Sequence, residues 1–396
     1  MLAATKGMPR VRELYENRSR RARELKNEGK KIIGYLCCYP PVEVVTAAGL
    51  VPYRVTGTIE TLTEADAYLE PLMCPFVRSC FEMGIKGQYE FLDGMIWPHT
   101  CDNVQKVHDI WKYHIKHDYW RYLDVPHMTY PSSFEFFKFQ IALLKETLED
   151  FSGNKISDQS LNDAIRLHNR NRSLLRELSA LRQDDPPLVS GTEMTQMLVA
   201  VMTTPVEEAN ELLESVIKEV SSRNERPGNK AARLLVYGCE TDDIAFTKLV
   251  EECGANIVID DLCVGTRFYW EDVELTDDPL MSLADRYLGK IVCPRTHRSQ
   301  VQLQDLQEKG LRRAELDLKF SYLGDFVRDY NVNGAILYVI RYCDTHELDA
   351  PDVRDYIQDM GVPVLYLEDD YSLTSIEGLR TRVQAFLEMI WQQHGE

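Results

Sequence analysis

A chain of 396 residues is longer than one hydrophobic core usually supports, so more than one domain is expected. Its formal charge of −18 argues against nucleic acid as a general partner, because phosphate binding relies on clustered Lys and Arg. No apolar run approaches the roughly 20 residues of a membrane span, and the charged start lacks a signal peptide's apolar stretch. A cytoplasmic protein that neither enters nor crosses a membrane is therefore expected.

In chain order, residues 1–30 read as an exposed, charged amphipathic helix whose basic run from Arg18 to Arg23 is a solvated face. Residues 31–140 carry an α/β pattern. KKIIGYLC reads as a strand, PVEVVTAAG as a helix ending at Gly49, VPYRVTG as a strand and FLDGMIWPHT as another. Residues 141–229 are predicted mostly helical: FFKFQIALLKETLEDF, which begins a few residues earlier, SDQSLNDAIRLHNRNRSLLRELSAL and TPVEEANELLESVIKEV repeat apolar residues every three or four positions. Ser157 and Thr204 are candidate caps or cap neighbours, and PPLVSGTEM is expected to be a loop. The α/β pattern returns over residues 230–396 with ARLLVYGC, NIVIDDLC, GAILYVIRYC and PVLYLEDD as buried strands. Three times a helix ends in Gly and a β-branched run follows (TAAG-LVPYRV, EECG-ANIVIDD, QDMG-VPVLYLEDD), which is the αβ half of a parallel βαβ unit. The expected fold class is α/β: two doubly wound parallel-sheet domains with a helical segment between them.

Ten cysteines without a secretory context call for buried thiols, metal ligands or nucleophiles rather than disulfides. No C-x-x-C pair occurs, so any metal site must be assembled from distant segments. Cys37, Cys101, Cys239, Cys263 and Cys343 fall at or just past predicted strand ends, where open parallel sheets build their ligand sites. Cys74 and Cys293 precede prolines in loops. Cys80 and Cys253 fit core positions, and Cys239 and Cys263 suit either core or site. Position and number together make Cys37, Cys38, Cys74, Cys101 and Cys343 the candidate metal ligands, and so thiol-rich a set suits iron–sulfur or zinc. His99, His108, His114 and His117 lack zinc-ligand spacing and read as structural.

GYLCCYPPVEVVTAAGLVPYRVTG resembles the C-x-Y-x-P-x-E, Ala-Ala-Gly and Leu-x-P opening of benzoyl-CoA reductase and 2-hydroxyacyl-CoA dehydratase subunits. LMCPFVRSC, TCDNVQK, IDDLCVGTRFYW, RYCDTHELDAPDVRDYIQDMGVPVLYLEDDYS and GLRTRVQAFLEMI resemble that family's later segments in order, so the likeness runs from Lys31 to Ile390. It implies two Rossmann-like domains holding an oxygen-sensitive [4Fe-4S] cluster between them, with Cys37, Cys74 and Cys343 as ligands and Cys101 next. It also implies a paralogous cluster-bearing partner, an aromatic or 2-hydroxy acyl-CoA substrate, and an ATP-hydrolysing activator with its own iron–sulfur cluster. The chain has no G-x-x-x-x-G-K-[ST] motif, so no ATP site is expected in it.

Cys38 departs from the family pattern, where Ser or Thr is common. A branch similar to this family binds a double-cubane [8Fe-9S] cluster, which needs about twice the thiols, with Cys80 or Cys263 as possible additions. The expected activity is that of a cluster-bearing subunit like the smaller subunits of class I benzoyl-CoA reductase, reducing an aromatic acyl-CoA by single-electron steps. The alternatives are a 2-hydroxyacyl-CoA dehydratase subunit, a double-cubane reductase of small molecules, and a scaffold or electron-transfer subunit. Glu43, Tyr39 and Asp261, with its neighbour Asp260, are the candidate proton donors or orienting groups.

Overall fold

A computed structural model describes residues 6–227, 230, 232–298 and 302–394. Two four-stranded, wholly parallel sheets organise the chain. The first contains β1 (Ile32–Tyr35), β2 (Val51–Arg54), β3 (Gly94–Pro98) and β4 (Tyr119–Leu123) in the order β2-β1-β3-β4. The second contains β5 (Ala232–Gly238), β6 (Ala255–Asp261), β7 (Gly334–Ile340) and β8 (Val364–Asp369) in the order β6-β5-β7-β8. The two orders are the same pattern. In each sheet the chain leaves the first strand to one side and returns to its other side, so a topological switch point lies beside β1 and again beside β5. Helices cover the sheets, which is why β5, β6 and β7 are buried along their whole length around the apolar stretches LLVY, IVI and AILYVI.

The α/β expectation holds, with local differences. Gly49, Gly254 and Gly361 end their helices with φ of 76°, 105° and 81°, the left-handed conformation that lets the chain turn into the next strand. β4 was not anticipated: its inner residues Trp120, Arg121 and Tyr122 are half-buried, so the segment lacks the apolar run of its neighbours. The start of the chain forms two helices, Gly7–Glu16 and Arg20–Asn27. The first buries Met8, Val11, Leu14 and Tyr15 rather than lying exposed. PPLVSGTEM is loop only as far as Ser190. Helix Gly191–Met202 starts there on a capping box in which Ser190 accepts from the Glu193 N–H and Glu193 accepts from the Ser190 N–H. Ser157 caps helix Asp158–Ala180 as expected, and Thr204 is a cap neighbour, preceding the N-cap Pro205.

The helical stretch links the sheets rather than forming a separate layer. Phe137, Ile141, Leu144 and Leu148 of helix Pro131–Ser152 pack with Ile33, Tyr35 and Ile96 of the first sheet. Leu283 and Ala284, from the second half of the chain, join the same cluster. A further cluster runs through both sheets, joining Tyr53, Phe76 and Trp97 to Val236, Ile336 and Tyr338. Among the described residues no helix is long and apolar enough to cross a membrane.

Gly238 ends β5 opposite Tyr338, and a Cβ there would overlap the Tyr338 carbonyl oxygen. That oxygen belongs to the backbone of a central strand and cannot yield. Gly238→Ala is expected to cost about 3 kcal/mol, read as a lower urea midpoint.

Candidate functional site

The switch points of the two sheets face a common cavity of about 80 Å³, and eight of the ten cysteines line it. Cys37 and Cys38 follow β1, Cys101 follows β3, Cys239 follows β5, Cys263 follows β6 and Cys343 follows β7. Cys74 and Cys293 reach it from the long crossovers between β2 and β3 and between β6 and β7. Each half of the chain thus supplies four thiols, and every cysteine is free. Leu36, Phe76, Val77, Val104 and Ile340 make the wall apolar, and Glu240 is the only carboxylate among the described residues of the lining.

The backbone aims these thiols by sharp turns and helix starts. Cys37 has φ of 57° and Tyr342 has φ of 64°, left-handed conformations rare for non-glycine residues. They turn the chain just past β1 and β7. The Cys37 carbonyl is held by the Arg54 guanidinium, which also donates to both oxygens of Glu240 at 2.6 and 2.8 Å. Arg54 ends β2 and Glu240 follows β5, so this buried pair ties the two halves together at the cavity. Asn103 makes a second tie: it accepts from the Cys74 N–H at 3.3 Å and donates to the Tyr342 carbonyl at 3.2 Å. Arg295 makes a third, donating to the carbonyls of His99, Thr100, Val125 and Pro126 and fixing the loop that carries Cys293.

Cys74, Cys101 and Cys343 are the N-cap residues of helices Pro75–Ile85, Asp102–His114 and Asp344–Gln358. None makes a full capping hydrogen bond, yet all three sit at the positive ends of helix dipoles, where anionic sulfur is favoured. Burial pushes Cys74 well above the ordinary thiol range and Cys101 up to about 11, against the pull of the first-turn amides of each helix. Cys343 is raised first by its hydrogen-bonded neighbour Cys239 and then by burial. Cys263 is shifted the other way: a hydrogen bond with Cys38 lowers it, and Arg267 and Arg54 add to the effect.

Cys74, Cys101 and Cys239 interact electrostatically with Cys343, and Cys37, Cys38 and Cys293 with Cys263, which in turn acts on Cys343. Among the described residues no three His, Cys, Asp or Glu side chains converge as they would on a single ion. The thiols surround a void instead. A soft, thiolate-rich donor set around an apolar void has the chemistry of a polynuclear iron–sulfur site.

All five candidate ligands, Cys37, Cys38, Cys74, Cys101 and Cys343, therefore line one cavity, and the structure adds Cys239, Cys263 and Cys293 to them. Cys80 and Cys253 stay outside, as does each of the four histidines read as structural. The proton-donor candidates separate. Tyr39 lines the cavity, its hydroxyl 2.9 Å from Thr296 Oγ1. Glu43 does not line it. Although burial alone would raise it, Arg172 foremost, with His168 and Arg286, holds it down at about 2, and Tyr287 donates to it at 2.8 Å. A carboxylate so held has no proton to give near neutral pH. Asp261 is paired with Arg267 and borders a different cavity, of about 210 Å³.

Sequence reasoning also missed Glu240 and His346. Burial lifts Glu240 up to about 8 despite Arg54. His346 lies one helical turn from Cys343 and is kept neutral by burial and by Arg267. The repeated Cys-Pro of Cys74 and Cys293 and the Cys-x-x-His of Cys343 and His346 were the available signals.

A family model described as "2-hydroxyglutaryl-CoA dehydratase, D-component" matches residues 37–390. A benzoyl-CoA reductase subunit of Thauera aromatica is 27% identical over 367 residues, covering 91% of each chain. The (R)-phenyllactyl-CoA dehydratase beta subunit of Clostridium sporogenes is 25% identical over 369 residues, covering 93% of this chain and 94% of that one. The (R)-2-hydroxyglutaryl-CoA dehydratase beta subunit of Acidaminococcus fermentans is 25% identical over 375 residues, covering 92% and 94%. With the family model spanning nearly the whole chain, this protein belongs to the 2-hydroxyglutaryl-CoA dehydratase D-component family, among the reductase and dehydratase subunits its cysteine segments resemble.

Proposed function

We propose that this chain is the iron–sulfur-bearing subunit of an ATP-dependent, low-potential enzyme acting on an acyl-CoA. The observation that carries the proposal is the convergence of eight thiols at the carboxyl ends of both sheets. The leading reaction is dearomatising reduction of benzoyl-CoA or a similar aromatic acyl-CoA in single-electron steps. Dehydration of a 2-hydroxyacyl-CoA is the second reading, favoured by the dehydratase beta subunits that match at 25% identity. The relatives named as subunits support a partner subunit for this chain, for which we propose a paralogue together with an ATP-hydrolysing activator.

Cys37, Cys74 and Cys343, with Cys101, would hold one cubane, and a second group of Cys38, Cys239, Cys263 and Cys293 offers ligands for a second. Such a cluster supplies single electrons at low potential. The chain's own residues do the rest. The apolar wall of Leu36, Phe76, Val77, Val104 and Ile340 excludes water from the reacting region. Burial raises the Tyr39 hydroxyl well above its ordinary range, so it keeps its proton at Oη beside Thr296 and can present it to a substrate that gains negative charge.

The test is iron and acid-labile sulfide per chain on protein purified without oxygen. About four irons are expected for a single cubane and about eight for a double-cubane cluster using both thiol groups. Near zero, with the thiols intact, overturns the proposal. With partner and activator present, product analysis on benzoyl-CoA and on a 2-hydroxyacyl-CoA then separates reductase from dehydratase.

A further inference from the structure

Arg267 lies in the short helix Thr266–Tyr269, four residues beyond Cys263. Its Nη1 donates to the Gly238 carbonyl at 2.8 Å and stands 3.6 Å from Cys263 Sγ and 2.9 Å from His346 Nε2. A guanidinium has no acceptor, so the imidazole Nε2 must accept, and the ring proton is left on Nδ1. His346 Nδ1 is 3.2 Å from Cys343 Sγ. The contact is therefore an N–H···S hydrogen bond whose direction Arg267 dictates. The other edge of Arg267 is fixed by Asp261, with Nε 2.9 Å from Oδ1 and Nη2 3.1 Å from Oδ2, and Asp261 in turn accepts from the Tyr322 hydroxyl at 2.6 Å. Arg267, His346 and Asp261 are all buried.

Resting on the cluster-bearing reading above, we infer that Arg267 and His346 are positioning residues: one guanidinium orients two sulfurs of the thiol cavity, Cys263 directly and the proposed ligand Cys343 through the imidazole, and raises the site's reduction potential. A hydrogen bond to a ligating sulfur draws off negative charge and so favours the more negative, reduced state. Arg267 also bonds the ends of three strand loops, at Gly238, Cys263 and, through His346, Cys343. This accounts for the place of Asp261, which holds the back of Arg267 and does not enter the thiol cavity.

The test compares wild-type holoprotein with His346→Asn and His346→Leu, all purified without oxygen, by redox titration followed by electron paramagnetic resonance. Asn can present an amide N–H near the place of Nδ1–H, and Leu cannot. Iron content is expected to be the same in all three, with the Leu midpoint shifted to more negative potential and the Asn midpoint restored toward wild type. Equal shifts in both variants, or none, with iron retained overturn the inference and leave the cluster reading standing. A wild-type protein without iron removes the cluster reading itself. Should His346→Leu lose its iron, wild-type protein carrying ¹⁵N-histidine decides the matter: pulsed resonance on the reduced protein is expected to show a ¹⁵N coupling through the hydrogen bond, and its absence overturns the inference.

Discussion

Cys343→Ser is expected to abolish iron binding if the site holds one cubane, and to reduce it to about half if each thiol group holds its own, with the fold intact. Cys343 is the N-cap of helix Asp344–Gln358 and is only half-buried. Serine is among the preferred N-cap residues, so the substitution gives the helix a better cap than it had, and the urea midpoint should not fall. What is lost is the soft sulfur donor: a serine hydroxyl is harder and far less acidic than a thiol. Iron analysis and the visible charge-transfer absorption read the loss, and circular dichroism checks the fold. Cys80→Ser should do the opposite. Cys80 is fully buried in helix Pro75–Ile85 outside the cavity, so a hydroxyl there costs about 1–3 kcal/mol while iron is retained. Loss of iron in Cys80→Ser, or full iron in Cys343→Ser, would refute the ligand assignment.

The placement of Cys37, Cys101 and Cys343 was legible in the sequence because short-range physics governs it. A fully buried parallel strand is a continuous apolar run, and glycine marks where the preceding helix must stop, so strand ends can be located from neighbours in sequence. β4 escaped because Trp120, Arg121 and Tyr122 are half-buried and mix polar with aromatic character. Helix Gly191–Met202 was hidden by the two prolines and the glycine around its start, although Ser190 and Glu193 spelled out its capping box. Cys293 could be read as a loop cysteine, but its convergence on Cys263 depends on Arg295 gripping carbonyls about 170 to 196 positions away. The Arg54–Glu240 pair likewise joins residues 186 positions apart. No local period encodes such contacts; they exist only once two sheets of the same topology face each other. Glu43 is the converse case: its segment, just after the Cys-Cys-Tyr turn, made it a candidate proton donor or orienting group, and the fold pairs it with Arg172 outside the thiol cavity.

Arg172→Met is expected to cost about 3–5 kcal/mol at neutral pH, because it leaves the Glu43 carboxylate buried without its main counter-charge. Glu43 is fully buried and Arg172 almost so, and Arg172 is further held by Asn169 Oδ1 at 2.7 Å. Glu43 belongs to helix Val42–Ala47, directly after the turn that carries Cys37 and Cys38, so the pair pins that turn to helix Asp158–Ala180. The pH dependence has a definite sign. The folded value of about 2 lies below the ordinary 4.5, so the pair's contribution is complete above about 4.5 and is lost as pH falls toward 2. A shift of that size corresponds to about 3 kcal/mol. The gap between wild type and Arg172→Met should therefore narrow as pH is lowered from about 4.5, since a protonated Glu43 no longer needs its partner. The double variant Glu43→Gln/Arg172→Met removes both charges together and should recover most of the stability, as buried ion pairs replaced in concert often do. Urea unfolding at pH 7 and at pH 4 and below measures the three proteins. If Glu43 were a proton donor to substrate, the double variant would be stable and inactive. Its place in the fold predicts instead that the double variant, once refitted, keeps both its iron and its turnover, because the groups that face the cavity, Tyr39 and the eight thiols, are untouched.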